Sequence, residues 1–274
     1  MKKISIVTIN YNNAVGLIST LKSVINQSYT NYEYIVIDGG STDGSKQILE
    51  EYAPHLSYWV SEEDKGIYHA MNKGVCQAEG EYLLFLNSGD YLEPEILAEV
   101  ARELTGEDII YGDLYFIFEN EERRLQKYSA PLTATRFLYS DFSLPHPASF
   151  IKRKLFLNEM YNEDYRIVSD WEFFIKNIIL KDCTTKHMSI GVSNFLDGGI
   201  SSTNPILTKE ERRKVLNNLF PPKVYNDLLK LSIIERSPLC DIIPQLNHTR
   251  KFQKRMKRLI LFLYKLNQTF KRGN

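Results

Sequence analysis

The chain has 274 residues, 43% hydrophobic and 25% charged, enough to bury a real core as one large domain or two small ones. Lys and Arg number 34, as do Asp and Glu, so no global field favours nucleic acid as a partner. No stretch approaches the ~20 apolar residues of a membrane span, and Cys76, Cys183 and Cys240 lie far apart without metal-ligand spacing, as expected of reduced cytoplasmic thiols.

The first 112 residues alternate strand and helix patterns, which implies a parallel sheet flanked by helices. The opening apolar run is too short and broken for a signal peptide. It predicts a strand over 4–9 that ends in Thr8-Ile9-Asn10-Tyr11, polar and aromatic groups suited to holding a flat base. A helical pattern follows over 14–25. A second strand at 34–37 runs straight into Asp38, Gly39 and Gly40. Asp38 emerges at the sheet edge, where its carboxylate can accept a base N–H, and the glycines permit close backbone approach. Asp43 reads as a cap for the helix predicted over 45–52. Neither G-x-G-x-x-G nor G-x-x-x-x-G-K-[ST] occurs, which disfavours a dinucleotide oxidoreductase and a P-loop NTPase.

A third strand is predicted at 56–60 and a helix at 67–78. Tyr82–Leu86 then forms an unbroken apolar run, read as a strand buried on both faces, and stops in Asn87-Ser88-Gly89-Asp90. In open α/β sheets ligands sit at the carboxyl ends of such strands. Asp90 is thus placed to meet a ligand or a metal, although the same four residues also make an ordinary turn. A helix is predicted at 94–104.

Beyond Gly112 the pattern loosens into short strand-like pieces at 115–118, 125–128 and 148–152. His146 precedes the last of these. A helix is predicted over 170–179, with Ser169 and Glu172 spaced as a capping box. A polar loop at 197–204 follows, and from Lys209 onward the chain reads as helix interrupted by Pro221-Pro222, Pro238 and Pro244. The expected organisation is a unit over 1–205, split into a nucleotide-sugar half (1–112) and an acceptor half (113–205), and a helical extension over 206–274.

IVTINYNN, VIDGGSTDGS, SEEDKGIYHAMNKG and LFLNSGD, in that order, resemble the signature of the family 2 inverting glycosyltransferases, which share the GT-A fold. GIY-x-AMNKG and LNSGD are similar to the branch that includes colanic-acid-type bacterial polysaccharide transferases. The resemblance covers roughly residues 1–205. It implies that Thr8, Asn10 and Asp38 hold the nucleotide base, with Tyr11 and Gly39 beside them. Glu63 and Asp64 fall where the family contacts the nucleoside, and Asn72 lies on the following helix near the donor. Asn87, Ser88, Gly89 and Asp90 stand at the family's metal-binding motif. That motif usually carries two or three acids, and this chain keeps only Asp90. One acid can suffice for Mg²⁺ or Mn²⁺, since Mg²⁺ commonly takes its remaining ligands from phosphate and water.

The resemblance further implies that Asp170 is the catalytic base, at the start of a helix where the family carries an acidic pair. His146 stands at a comparable family histidine and is a further candidate metal ligand. The loop Gly198-Gly199-Ile200-Ser201-Ser202 is similar to a family loop near the donor diphosphate. The function implied is inverting transfer of a hexose from a nucleotide sugar, UDP-linked on family grounds, to a glycan or lipid-linked acceptor in bacterial surface polysaccharide assembly. A sugar-phosphate nucleotidyltransferase would need a Gly-rich N-terminal loop with following Arg and Lys, which is missing. A non-catalytic nucleotide-sugar binder or membrane scaffold is the remaining alternative, supported by the thinned acidic motif.

At the C-terminus, Phe252, Met256, Leu259, Leu263, Leu266 and Phe270 recur at spacings of 4, 3, 4, 3 and 4, a continuous apolar stripe on one helix. Nine Lys and Arg fall between Arg250 and Arg272, with no acid after Asp241. Such a helix reads as one lying in an anionic membrane interface, which places the protein peripherally on the inner face of the cell membrane. A polyprenyl-diphosphate-linked acceptor fits that placement through the family resemblance. The same stripe could instead pack on the protein body or on a second subunit.

Overall fold

The protein is described from a computed structural model over residues 3–118, 120, 122–129, 131–138, 143–196, 198–199, 203–237, 240 and 250–272. Every residue of the first strand, β1 (Ile4–Asn10), is buried. Its polar side chains must therefore find partners, and they do: Ser5 with Glu33, and the Thr8 hydroxyl with that of Tyr34 at 3.0 Å. β2 (Tyr32–Asp38) and β4 (Tyr82–Phe85) flank β1 in parallel, and β3 (Tyr58–Ser61) extends the sheet beyond β2, also parallel.

The connecting helices are α1 (Ala14–Ile25), α2 (Ser45–Tyr52), α3 (Ile67–Gln77) and α4 (Ile96–Glu103). α1 buries Leu17, Thr20, Leu21 and Val24, one face at helical spacing. Asn13 starts it by accepting the Gly16 N–H at 3.1 Å. Full burial of each such leucine or valine stabilises by about 1.5–3 kcal/mol. Because the chain moves outward from β1 to β2 and β3 and returns to β4 on the other side, a crevice opens at the carboxyl ends of β1 and β4.

The second part contributes β5 (Tyr91–Leu92), β6 (Ile109–Ile117), β7 (Arg123–Gln126), β8 (Ser149–Lys152) and β9 (Thr185–Leu196). Among the described residues nine strands form one sheet in the order β3-β2-β1-β4-β8-β6-β9-β5, with β7 paired to β6. β8 joins β4 and β6 antiparallel, while β6 and β9 run parallel through an irregular register around Asp113. Three helices complete this part: α5 (Ala134–Phe137), α6 (Ser169–Phe174) and α7 (Pro205–Leu219). An α/β sheet flanked by helices is what the sequence predicts.

Several details differ from the sequence reading. The strand expected at 56–60 is displaced to Tyr58–Ser61, because Pro54 seeds a 3₁₀ turn over Ala53–His55. Gly112, taken as the end of the first half, lies inside β6, where a Cβ would meet Val192 at 2.4 Å. β9 was not anticipated at all. Its alternation is short: Met188, Ile190 and Val192 alternate with Ser189, Gly191 and Ser193, flanked by polar Thr185, Lys186 and His187 before and Asn194 after. Nor does Ser169 cap its helix: Val168 is the N-cap residue, without a side-chain hydrogen bond, and the Ser169 hydroxyl is buried without a partner. The helix predicted over 170–179 relaxes after Phe174 into a π-helical turn, Ile175–Leu180. In the 197–204 loop, residues 197 and 200–202 lie outside the described residues, as do Pro238 and Pro244.

The chain divides into two compact units, 1–221 and 222–274. The second contains α8 (Pro222–Glu235) and α9 (Arg250–Arg272). Phe252 and the run from Leu259 to Tyr264 are exposed on α9, while the stripe positions Leu266 and Phe270 fall outside the described side chains. Among the described residues no helix is long and apolar enough to cross a membrane.

Candidate active site

A cleft of about 870 Å³ lies at the carboxyl ends of β1, β2 and β4. Asn10 and Tyr11 enter it from the end of β1, Gly39 from the end of β2, Glu63 and Asp64 from the turn before α3, and Asn87 and Ser88 from the end of β4. Seven of the residues singled out by sequence therefore share one cavity. Tyr11 is 67% exposed and offers a bare ring to a flat ligand. A Cβ on Gly39 would sit 2.5 Å from an Asp64 carboxylate oxygen and 3.2 Å from the Tyr11 ring, so only glycine allows these two to close on the strand end. Asp64 is itself tied down by the Gly66 N–H at 2.7 Å.

Asp38 lies beneath this surface, fully buried. One carboxylate oxygen accepts the Asn10 amide at 2.7 Å and the Ser41 hydroxyl at 2.6 Å. The other accepts the Ser41 N–H at 3.0 Å and the Ser61 hydroxyl at 2.6 Å. Burial pushes its pKa up, but the donors Ser41, Ser61 and Asn10 together outweigh burial and hold it below the usual carboxylate range. Asp38 thus fastens the ends of three strands. The Asn10 side chain that donates to it keeps its own carbonyl oxygen buried and without a partner, an acceptor left over at the cleft wall. Thr8 is also buried, bound to Tyr34. Asp43 joins the starts of two helices, accepting Ala14 N–H at 2.8 Å and Ser45 N–H at 3.1 Å.

The turn after β4 is held from α1. The Thr20 hydroxyl donates to the Asp90 carbonyl at 2.7 Å and accepts the Gly89 N–H at 2.9 Å, and the Asn13 amide donates to the Ser88 carbonyl at 2.9 Å. Gly89 turns the chain at φ 107°, a left-handed conformation that favours glycine. The Asp90 carboxyl is buried, with a single long hydrogen bond from the Leu196 N–H at 3.3 Å, and burial raises its pKa to about 8. The Asn87 side-chain oxygen is buried with no partner. Two under-satisfied oxygens in one tight turn suit a hard cation, which takes oxygen ligands and completes its shell with phosphate and water. Asp90 and Asn87 are therefore the residues that fit a divalent ion. Among the described residues no cluster of three or more His, Cys, Asp or Glu exists for a metal.

Asp170, half-buried in the first turn of α6, approaches from the other part of the sheet. The Tyr68 hydroxyl on α3 lies 2.7 Å from one of its carboxylate oxygens and 2.6 Å from the Ile167 carbonyl, and its single proton serves one of them at a time. The second carboxylate oxygen of Asp170 has no hydrogen bond among the described residues. Ile67 and Ala70 of the same helix line the cleft; Asp170 is not itself a lining residue and is linked to that helix through Tyr68. His146 does not line the cleft. It stacks on Phe85 at 4.9 Å and shares a 2.8 Å hydrogen bond with the Tyr161 hydroxyl, and burial lowers its pKa despite the opposing charge of Asp170. Asn72 is likewise consumed, bonding the Tyr161 carbonyl, the Tyr161 N–H and Glu163. Sequence reading passed over Asn13, Thr20, Lys65 and Arg166, of which all but Thr20 line the cleft.

Residues 5–165 match the model of the family described as Glycosyl transferase family 2. A PGL/p-HBAD biosynthesis glycosyltransferase of Mycobacterium bovis is 34% identical over 215 residues, 75% of this chain and 81% of that protein. S. aureus TarS superposes with a TM-score of 0.62 at 19% identity, over 85% of this chain and 43% of the other. Its residues 1–349 with UDP-GlcNAc superpose at 0.61 and 17% identity, over 84% and 71% of the two chains. The mannosyltransferase PcManGT from Pyrobaculum calidifontis, in complex with GDP-Man and Mn²⁺, gives 0.61 at 15% identity, over 98% and 82%. These likenesses show the GT-A fold.

Proposed function

The chain belongs to glycosyl transferase family 2 and is a glycosyltransferase, and from that premise we propose that it transfers a hexose with inversion from a nucleotide sugar to a saccharide acceptor in bacterial surface polysaccharide assembly. The observation that carries this reading is the juxtaposition at the cleft. Strand-end residues Asn10, Tyr11, Gly39, Asn87 and Ser88 line it, and Asp170, a carboxylate with one unengaged oxygen, is tied by Tyr68 to the helix whose Ile67 and Ala70 line the same cleft.

An acceptor hydroxyl must lose its proton as it attacks the anomeric carbon from the face opposite the leaving diphosphate. A carboxylate within hydrogen-bond reach takes that proton in concert with bond formation. In this reading the Tyr68 hydroxyl orients Asp170, leaving its second oxygen for the acceptor. A single displacement assisted by one base gives inversion, so an α-linked donor yields a β-glycoside. The exposed Tyr11 ring receives the base, Gly39 lets the base approach the strand end, and the unpartnered Asn10 oxygen is the acceptor available to a base N–H. A divalent cation held by Asp90 and Asn87 would supply Lewis-acid neutralisation of the leaving diphosphate.

UDP is the nucleotide we favour. The likeness to TarS, whose structure is described with UDP-GlcNAc, supports it, and PcManGT with GDP-Man and Mn²⁺ supports metal use. For the acceptor, the mycobacterial relative named for PGL/p-HBAD biosynthesis points to cell-envelope glycans, with a polyprenyl-diphosphate-linked sugar as our candidate. The exposed apolar run and basic remainder of α9 support contact with an anionic membrane face. Turnover of a panel of UDP-, GDP- and dTDP-sugars with and without Mn²⁺ tests the reading. Slow, Mn²⁺-dependent hydrolysis of one donor is expected, and silence across the panel with folded protein and lipid supplied would refute it. Removal of residues 250–274 should release the protein from phosphatidylglycerol vesicles, and unchanged co-sedimentation would return α9 to packing.

A further inference from the structure

Lys65 and Arg166 are the two basic side chains lining the cleft. They differ in setting. Lys65 follows Glu63 and Asp64 on one turn, so two acids that also line the cleft offset its charge. Arg166 enters from a separate segment, between β8 and α6. It is exposed and makes no ion pair among the described residues.

The backbone beneath Arg166 is held from two sides. Glu211 of α7, 4% exposed, accepts the Arg166 N–H at 2.9 Å with one carboxylate oxygen and the Ile167 N–H at 3.0 Å with the other. The Ile167 carbonyl receives the Tyr68 hydroxyl from α3 at 2.6 Å. A short stretch without regular structure is thereby fixed between two helices. Its side chains alternate: Tyr165 turns to Asn218 of α7, Arg166 to the cleft, and Ile167 into the interior. A buried carboxylate spent on two consecutive backbone N–H groups is a costly way to hold a loop, unless the position of that loop matters.

We propose that Arg166, positioned by Glu211, binds the terminal phosphate of the nucleoside diphosphate in this cleft; this rests on the nucleotide-sugar reading above. A guanidinium presents paired donors to phosphate oxygens and stays charged throughout. Here it supplies positive charge to the leaving group in a chain whose turn after β4 carries one acid, Asp90. Glu211 is a positioning residue, acting through the 166–167 backbone.

Calorimetric titration of the full chain with uridine, UMP and UDP, with the guanosine series and with farnesyl diphosphate, at fixed Mn²⁺ tests this. Arg166→Ala should lower the preference for UDP over UMP by about tenfold while leaving uridine affinity within about twofold. Arg166→Lys should restore part of that preference, and Glu211→Gln should reduce it with the Arg166 side chain intact. An unchanged UDP-to-UMP ratio in Arg166→Ala would overturn the assignment. So would a loss confined to farnesyl diphosphate, which would place the arginine at a lipid carrier. If the wild-type chain bound neither nucleotide series, the nucleotide reading would fall first and this proposal with it.

Discussion

Asp38 and Asp90 occupy matching places, one at the end of β2 and one in the turn after β4, and both are buried. The protein treats them oppositely. Asp38 receives four hydrogen bonds from three segments, and its pKa lies below the usual range. Asp90 receives one long hydrogen bond, and burial lifts its pKa to about 8. The same residue type in the same topological position is thus a fastener in one place and an unfinished site in the other. Burial alone does not mark a functional carboxylate. The number of donors left to the ligand does.

Asp170 extends the comparison, because it is half-satisfied: one oxygen faces Tyr68 and the other is open. Replacing it with Asn should have the largest effect on turnover, about 10²–10⁴-fold, with donor affinity within a few-fold in a binding titration. Retained transfer would remove it as the base. Asp38→Asn should act on stability instead. Losing four charge-assisted bonds should cost about 2 kcal/mol at pH 7 by denaturant unfolding. A depressed folded pKa contributes stability that is full above the unfolded value near ~4 and lost as pH falls through the folded value. The gap between wild type and Asp38→Asn should therefore close in acid, and a gap constant down to about pH 2 would show that the bonds do not depend on charge.

The cleft wall was largely legible in the sequence, because strand ends announce themselves: an apolar run stops and polar residues begin. Tyr11, Gly39 and Asn87 follow from that rule alone, and Asp64 from the family resemblance. What each carboxylate does was not legible. Asp38 looked like a base ligand because its donors, Asn10 and Ser61, lie 28 and 23 residues away. Arg166 went unremarked because its clamp, Glu211, is 45 residues downstream on a helix whose amphipathic pattern is weak. β9 alternates as a strand only over residues 188–193, between polar flanks, and its irregular register with β6, where Gly191 lies against the Tyr115 ring, is a tertiary feature that no local pattern shows.

The contrast between the two aspartates is tested most directly by nucleoside diphosphate binding measured with Mn²⁺ and with chelator, in the wild type and in Asp90→Asn. Mn²⁺ should tighten binding to the wild type by about tenfold or more and leave the variant unchanged, both proteins binding alike in chelator. An equal Mn²⁺ effect on both, or an equal loss with and without the ion, would contradict a cation at this turn and leave Asp90 as one more buried acid.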